Sequence, residues 1–132
     1  MPPPRRSFQA LRKIKAMKFH DWSKIEREQM NPQFARQVIH GDQMTVARVY
    51  LKKGSTVPRH SHVNEQIMLL LEGKLKFVFD DREVVVEPGQ NLQIPGNEPH
   101  GVETLEDSVA LDLFSPVRED WIRGDDAYLR KG

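Results

Sequence analysis

The chain has 132 residues, of which 38% are hydrophobic and 30% charged, enough for one domain around a single hydrophobic core. It contains no cysteine, which excludes disulfides, thiolate catalysis and Cys-ligated zinc, and no run approaches the ~18 apolar residues of a membrane helix. The net charge of +1 conceals an asymmetry, because residues 1–18 hold Arg5, Arg6, Arg12, Lys13, Lys15 and Lys18 and no acid, leaving 14 basic against 19 acidic side chains in the rest.

Residues 1–18 read as a solvated basic tail ahead of one domain over 19–132. An arm of this charge also suits nucleic acid or anionic lipid. No aromatic residues interleave with most of the charge, so neither partner is expected, and Met17 also reads as an alternative start. No apolar segment of the ~7 residues that a secretory signal needs follows the arginines, and a cytoplasmic location is expected.

Asp21–Met30 is predicted as a short helix capped near Asp21, and Gln33–His40 as an edge strand. Met44–Lys52 alternates as a strand, with Val46, Arg48 and Tyr50 on one side and Ala47, Val49 and Leu51 on the other. Gln66–Leu71 is a nearly continuous apolar run, as in a strand covered on both faces. Glu72-Gly73 is expected to turn the chain into Lys74–Phe79. Asp80-Asp81 makes a hairpin into Glu83–Glu87, and Pro88-Gly89 is a type II turn pair. Asn91–Ile94, Val102–Thr104 and Val109–Phe114 complete the strands. Pro116–Leu129, with Trp121 and Tyr128 among charges, is predicted as a helical or irregular C-terminal cover. Seven or so short strands punctuated by glycine and proline indicate an all-β sandwich or jelly roll.

Three of the five histidines lie in two places. His60 and His62 stand two apart in a strand-forming segment and are expected on one face of one strand. His100 follows a proline-studded turn. A third imidazole from a distant strand closing on such a pair is how a β-scaffold builds a divalent-metal site. His20 and His40 lack that context and read as surface residues.

These residues resemble the two signature motifs of the cupin superfamily. Gly54, His60, His62, Gln66 and Gly73 match the spacing of the first, with glutamine where glutamate is usual. Gly89, Pro95 and His100 match the second; Gly96 is one position early, Asn97 takes the glycine slot and Thr104 replaces a terminal asparagine. The match spans roughly 44–116. It implies a double-stranded β-helix, a jelly-roll barrel, with one divalent metal near its mouth. It does not imply one reaction.

A narrower resemblance lies in Leu111-Asp112-Leu113-Phe114-Ser115-Pro116-Val117-Arg118-Glu119-Asp120. It is similar to the ending of small single-domain cupins, among them pectin-degradation enzymes that convert unsaturated monouronates to linear keto-uronates. Those proteins use His, His, Gln and His as ligands, and the resemblance carries those roles to His60, His62, Gln66 and His100. Glu65 is the competing fourth ligand. Motif spacing to Gly73 selects Gln66, through its amide oxygen, and parity agrees if the strand runs unbroken from His60. In the alternative, Gln66 holds a metal-bound water and the site has three protein ligands.

Three neutral imidazoles and a neutral amide leave the full +2 charge on the metal. That favours Lewis-acid chemistry on an oxygenated anion, with two open positions if coordination is octahedral. Ni, Mn, Fe, Co and Zn all accept such ligands. Asp112 interrupts an apolar strand and reads as a general acid/base with a pKa raised by burial; its alternative is a solvent-facing partner of Arg118. Arg118 reads as a clamp for a substrate carboxylate, or else as a surface ion pair with Glu119 or Asp120. Phe114 is expected as a pocket wall or core aromatic, and Arg48 and Tyr50 as further lining of the same cavity. The expected function is a metal-dependent, lyase- or isomerase-like enzyme acting on a small molecule such as a sugar acid. The alternatives are a dioxygenase of a catechol-like substrate and a non-catalytic metal- or sugar-binding module. A homodimer is expected, with segment 33–40 as the exchanging edge.

Overall fold

β-Branched and aromatic runs separated by glycine and proline form eight antiparallel strands in the computed structural model, which describes residues 16–131. They are β1 (Glu28–Asn31), β2 (Phe34–His40), β3 (Thr45–Leu51), β4 (Thr56–His60), β5 (Glu65–Phe79), β6 (Glu83–Val86), β7 (Asn91–Ile94) and β8 (His100–Ser115). Two short helices follow, α1 (Glu119–Arg123) and α2 (Ala127–Arg130). Most of the basic tail falls in residues 1–15, outside the described residues. No helix among the described residues is long and apolar enough to cross a membrane.

The spine is the pairing of β5 with β8, which runs from Glu65↔Ser115 to Phe79↔His100. The two ends of this long ribbon take different neighbours. β3 and β7 flank the end at Gln66 and Phe114, while β4 and β6 flank the end at Phe77 and Val102. The ribbon thereby wraps round its own core as a jelly-roll barrel. The expected break at Glu72-Gly73 is a bulge instead: β5 runs through, with register shifts on both sides of Gly73. Gly73 sits at φ 93°, and a Cβ there would run into the Ser108 hydroxyl and the Asp107 carbonyl. Only glycine combines that conformation with so close a backbone approach. Likewise Val102–Thr104 and Val109–Phe114 are parts of one strand, β8.

Inward positions follow the period of two. In β3, Thr45, Ala47, Val49 and Leu51 are buried while the residues between them are half-exposed. Met68, Leu70, Leu75, Phe77, Val102, Ala110 and Phe114 belong to the same apolar interior, together with Trp121 and Leu129 of the helical segment, each large side chain contributing about 1.5–3 kcal/mol on burial.

The N-terminal flank departs from expectation. The helix over Asp21–Met30 reduces to one 3-10 turn, Trp22–Lys24, capped by the Asp21 carboxylate accepting from the Ser23 N–H at 2.9 Å. Glu28–Asn31 is strand β1, because pairing with β2 offers its backbone a ladder that a four-residue helix end cannot match. β2 is consequently not an edge. It lies between β1 and β3, so segment 33–40 has no free side for strand exchange, and β1 takes the outer place.

Candidate metal centre

Four segments meet at one mouth of the barrel. His60 ends β4 and His100 opens β8, and the two are direct cross-strand partners. His62 lies beyond the end of β4 in the loop to β5, so it does not share a strand face with His60 as parity suggests. The loop returns it to the same place. One ring nitrogen from each of His60, His62 and His100 lies within 4.8 Å of the others.

The hydrogen bonds assign the protons. Nδ1 of His60 lies 2.8 Å from the Pro58 carbonyl, Nδ1 of His62 3.0 Å from the Asn64 carbonyl, and Nδ1 of His100 2.8 Å from the Glu98 carbonyl. A carbonyl only accepts, so each Nδ1 carries the proton and donates. In a neutral ring the lone pair is then on Nε2. Desolvation holds His60 and His62 neutral, with pKa values pushed down to about 4, and lowers that of His100 as well.

Gln66 lies buried at the start of β5, beside the three histidines. Its Nε2 donates to Asp112 Oδ1 at 2.9 Å, which turns Oε1 toward His62 Nε2 at 3.2 Å. With Nδ1 protonated, that contact sets one lone pair against another. A cation shared by both atoms resolves it, and the residues present therefore fit a divalent metal held by nitrogen and oxygen. Glu65, the competing ligand, is exposed and accepts from Gln93 Nε2 at 3.0 Å on the other face of the strand.

The loops hold this arrangement closely. The Asn97 N–H donates to the His62 carbonyl at 2.7 Å. A Cβ on Gly96 would strike the Val63 carbonyl. Asn97, at φ 67°, stands where the motif has glycine, and asparagine is among the few other residues that tolerate left-handed backbone.

Beneath the histidines a cavity of about 60 Å³ is lined by Met68, Leu75, Phe77, Val102, Ala110 and Phe114, with Asp112 among them. Asp112 is half-buried and its free surface opens onto this cavity. Desolvation pushes its pKa up to about 6, and the Gln66 hydrogen bond and the Arg118 charge only partly oppose this. Phe114 stands edge-on to His62, ring centres 5.5 Å apart.

Two placements correct the sequence reading. Arg118 is buried, not a surface residue, but its fork is already used: Nε and Nη2 donate to the Asp120 carboxylate at 2.9 and 2.8 Å, and Nη2 also to the Tyr128 hydroxyl at 2.9 Å. Arg118 thus makes the ion pair with Asp120 and also lines the cavity. Arg48 and Tyr50 lie on the outer face of β3, opposite Val49 and Leu51, which line the cavity; Tyr50 instead donates to Gln37 Oε1 at 2.6 Å. Alternation separates two faces without saying which is inside, and the interior below the metal centre is apolar. Trp121, Tyr128 and Leu129, which the sequence offers only as aromatic and apolar residues in a charged cover, form part of the cavity lining.

The sequence profile described as "Cupin domain" matches residues 47–115. The chain belongs to the cupin family. The pectin degradation protein KdgF of Dickeya dadantii is 30% identical over 98 residues, which is 72% of this chain and 89% of that protein. The structure of KdgF from Halomonas sp. superposes with a TM-score of 0.73 at 25% identity, covering 79% of this chain and 99% of that one. An RmlC-like cupin from Shewanella frigidimarina superposes with a TM-score of 0.74 at 23% identity, covering 80% and 96%; at that identity the likeness concerns the fold. The cupin barrel and its relation to KdgF thus stand beside a histidine triad able to bind a metal.

Proposed function

We propose that this cupin is a metal-dependent, non-redox enzyme that opens the ring of an unsaturated uronate to give the linear keto acid. The observation that carries the reading is the link from the neutral ligand set to a proton carrier, the 2.9 Å hydrogen bond from the Gln66 amide to Asp112. Kinship with a pectin degradation protein supports the substrate class.

His60, His62 and His100 would hold the metal through Nε2 and Gln66 through Oε1. When bound, a divalent ion supplies Lewis-acid polarisation of a substrate oxygen. The remaining chemistry needs a proton moved twice. One leaves the anomeric hydroxyl as the ring C–O bond breaks, yielding an aldehyde and an enolate. One arrives at the far carbon of the former double bond as the enolate becomes a ketone. The composition is unchanged, and neither oxidant nor water is consumed. Asp112 as carboxylate takes the first proton and as acid returns the second, a cycle that suits a pKa of about 6. Phe114 and Met68 keep bulk water from the reacting carbons.

The test is incubation of metal-loaded protein with unsaturated galacturonate while the double-bond absorbance is followed. Loss of absorbance faster than the metal-free protein and the spontaneous background is expected. No acceleration, beside an active control enzyme, overturns the reading.

A further inference from the structure

We propose that Tyr128 is a gate over the metal centre and sets which ligands reach it by size. The gate is defined on the candidate metal centre; the choice of a sugar acid as occupant rests on the proposed function.

The ring of Tyr128 stacks on His60, centres 4.6 Å apart and planes inclined by 28°. Its hydroxyl accepts from Arg118 Nη2 at 2.9 Å, and Asp120 fixes that guanidinium from its other edge. The ring therefore covers one of the three imidazoles and is latched to a buried cation. Leu129 and Trp121, from the same segment, continue the cover over the cavity.

With Tyr128 in this position the cavity holds about 60 Å³. A uronate of about a dozen non-hydrogen atoms does not fit a space for roughly four to six waters. The backbone around Tyr128 is fastened down: the Leu129 carbonyl accepts from Asn31 Nδ2 at 3.1 Å, and Asp126 pairs with Arg36 at 2.6 Å. The Tyr128 side chain is held by one stack, one hydrogen bond and packing against the rim of the apolar core, and it is half-exposed. Rotation of that side chain out of the mouth admits a larger ligand without unseating α2.

Cobalt(II)-loaded protein tests the gate without relying on turnover, because the visible band reports when a carboxylate reaches the metal. Acetate, benzoate and galacturonate are mixed rapidly with the wild-type, Tyr128→Ala, Tyr128→Phe and Ile122→Ala proteins. Tyr128→Ala is expected to raise the access rate of benzoate and galacturonate about tenfold or more and that of acetate less than about twofold. Tyr128→Phe, which loses the latch but keeps the ring, falls between. Ile122→Ala, an exposed change on the same segment, leaves all three rates as in wild type. Equal acceleration of small and large acids marks a merely loosened structure and overturns the gate. So do unchanged rates for benzoate, or its failure to reach cobalt in Tyr128→Ala. If benzoate shows the size effect and galacturonate never perturbs the band, the gate stands and the uronate reading falls.

Discussion

The wall and the roof of the cavity are held by different forces. His60, Gln66, His100 and Asp112 sit on paired strands, and each metal-facing imidazole is pinned by a backbone carbonyl two residues away. The roof, α1 and α2 with Trp121, Tyr128 and Leu129, has no ladder to the barrel. It is held by side chains: Arg36 to Asp126, Arg118 to Asp120 and Tyr128, and Asn31 to the Leu129 carbonyl. Moving the wall breaks cooperative backbone pairing, whereas moving the roof exchanges a few polar contacts and the burial of Trp121 and Leu129. Ligand geometry is thereby fixed while access stays adjustable.

The wall breaks most completely at a ligand. His100→Ala is expected to remove stoichiometric metal. Changes to groups that merely orient a ligand cost about 10- to 100-fold in affinity, so loss of the ligand itself must cost more. Metal analysis after dialysis checks this, and retention of one ion per chain would contradict the site. His100 is buried beside Phe77 and Phe79, so far-ultraviolet circular dichroism must show the barrel intact in the same sample.

Asp112→Asn tests the chemistry beside the wall. The amide is nearly isosteric and occupies the same place on β8, but it cannot carry a proton. Turnover of unsaturated galacturonate is expected to fall about 10²- to 10⁴-fold, with metal content unchanged. A variant of undiminished rate would show that Asp112 only orients Gln66. Loss of metal together with rate would show the same from the other side.

The histidine cluster was legible in the sequence because motif spacing is fixed by turn chemistry. Gly73 is required by the bulge, and the 95–97 turn is required by the close approach to Val63. Both hold in the fold whatever the loops between them do. His62 reaches the same place by the loop and not by strand parity, since β4 stops at His60. Three other features depended on partners that local sequence does not name. Glu28–Asn31 is a strand because β2 lies beside it. Arg48 and Tyr50 face outward because the lower cavity is apolar. Tyr128 covers His60 because a chain return anchored at Asp126 brings it there.

The roof should yield at its anchor. Asp126 and Arg36 are almost fully buried, with side-chain exposures of 2% and 4%. Asp126→Ala leaves the Arg36 guanidinium buried, with the 3.5 Å contact to half-exposed Glu28 and the face of the Trp121 ring 4.4 Å away. Uncompensated burial of one partner of such a pair costs about 3–5 kcal/mol. An unfolding free energy from urea titration lowered by that amount, with metal still bound after dialysis, would separate roof from wall. A stability loss that also removes the metal would show them to be one unit.

The same ion-pair chemistry at the surface sharpens the contrast. Arg59 donates to Asp80 through Nε and Nη2 at 2.8 and 2.9 Å, as good a geometry as any pair in the roof. Both partners are more than half exposed, with side-chain exposures of 65% and 61%. Water and salt screen an exposed pair, and holding two long side chains in one geometry offsets the attraction. Arg59→Ala is therefore expected to leave the urea midpoint within experimental scatter, although Arg59 lies one residue from a candidate ligand. A shift as large as that of Asp126→Ala would mean that Arg59 holds the end of β4 in place, and that the wall depends on side-chain pairs after all. The decisive variable between the two pairs is burial, since their distances and donor geometry are alike.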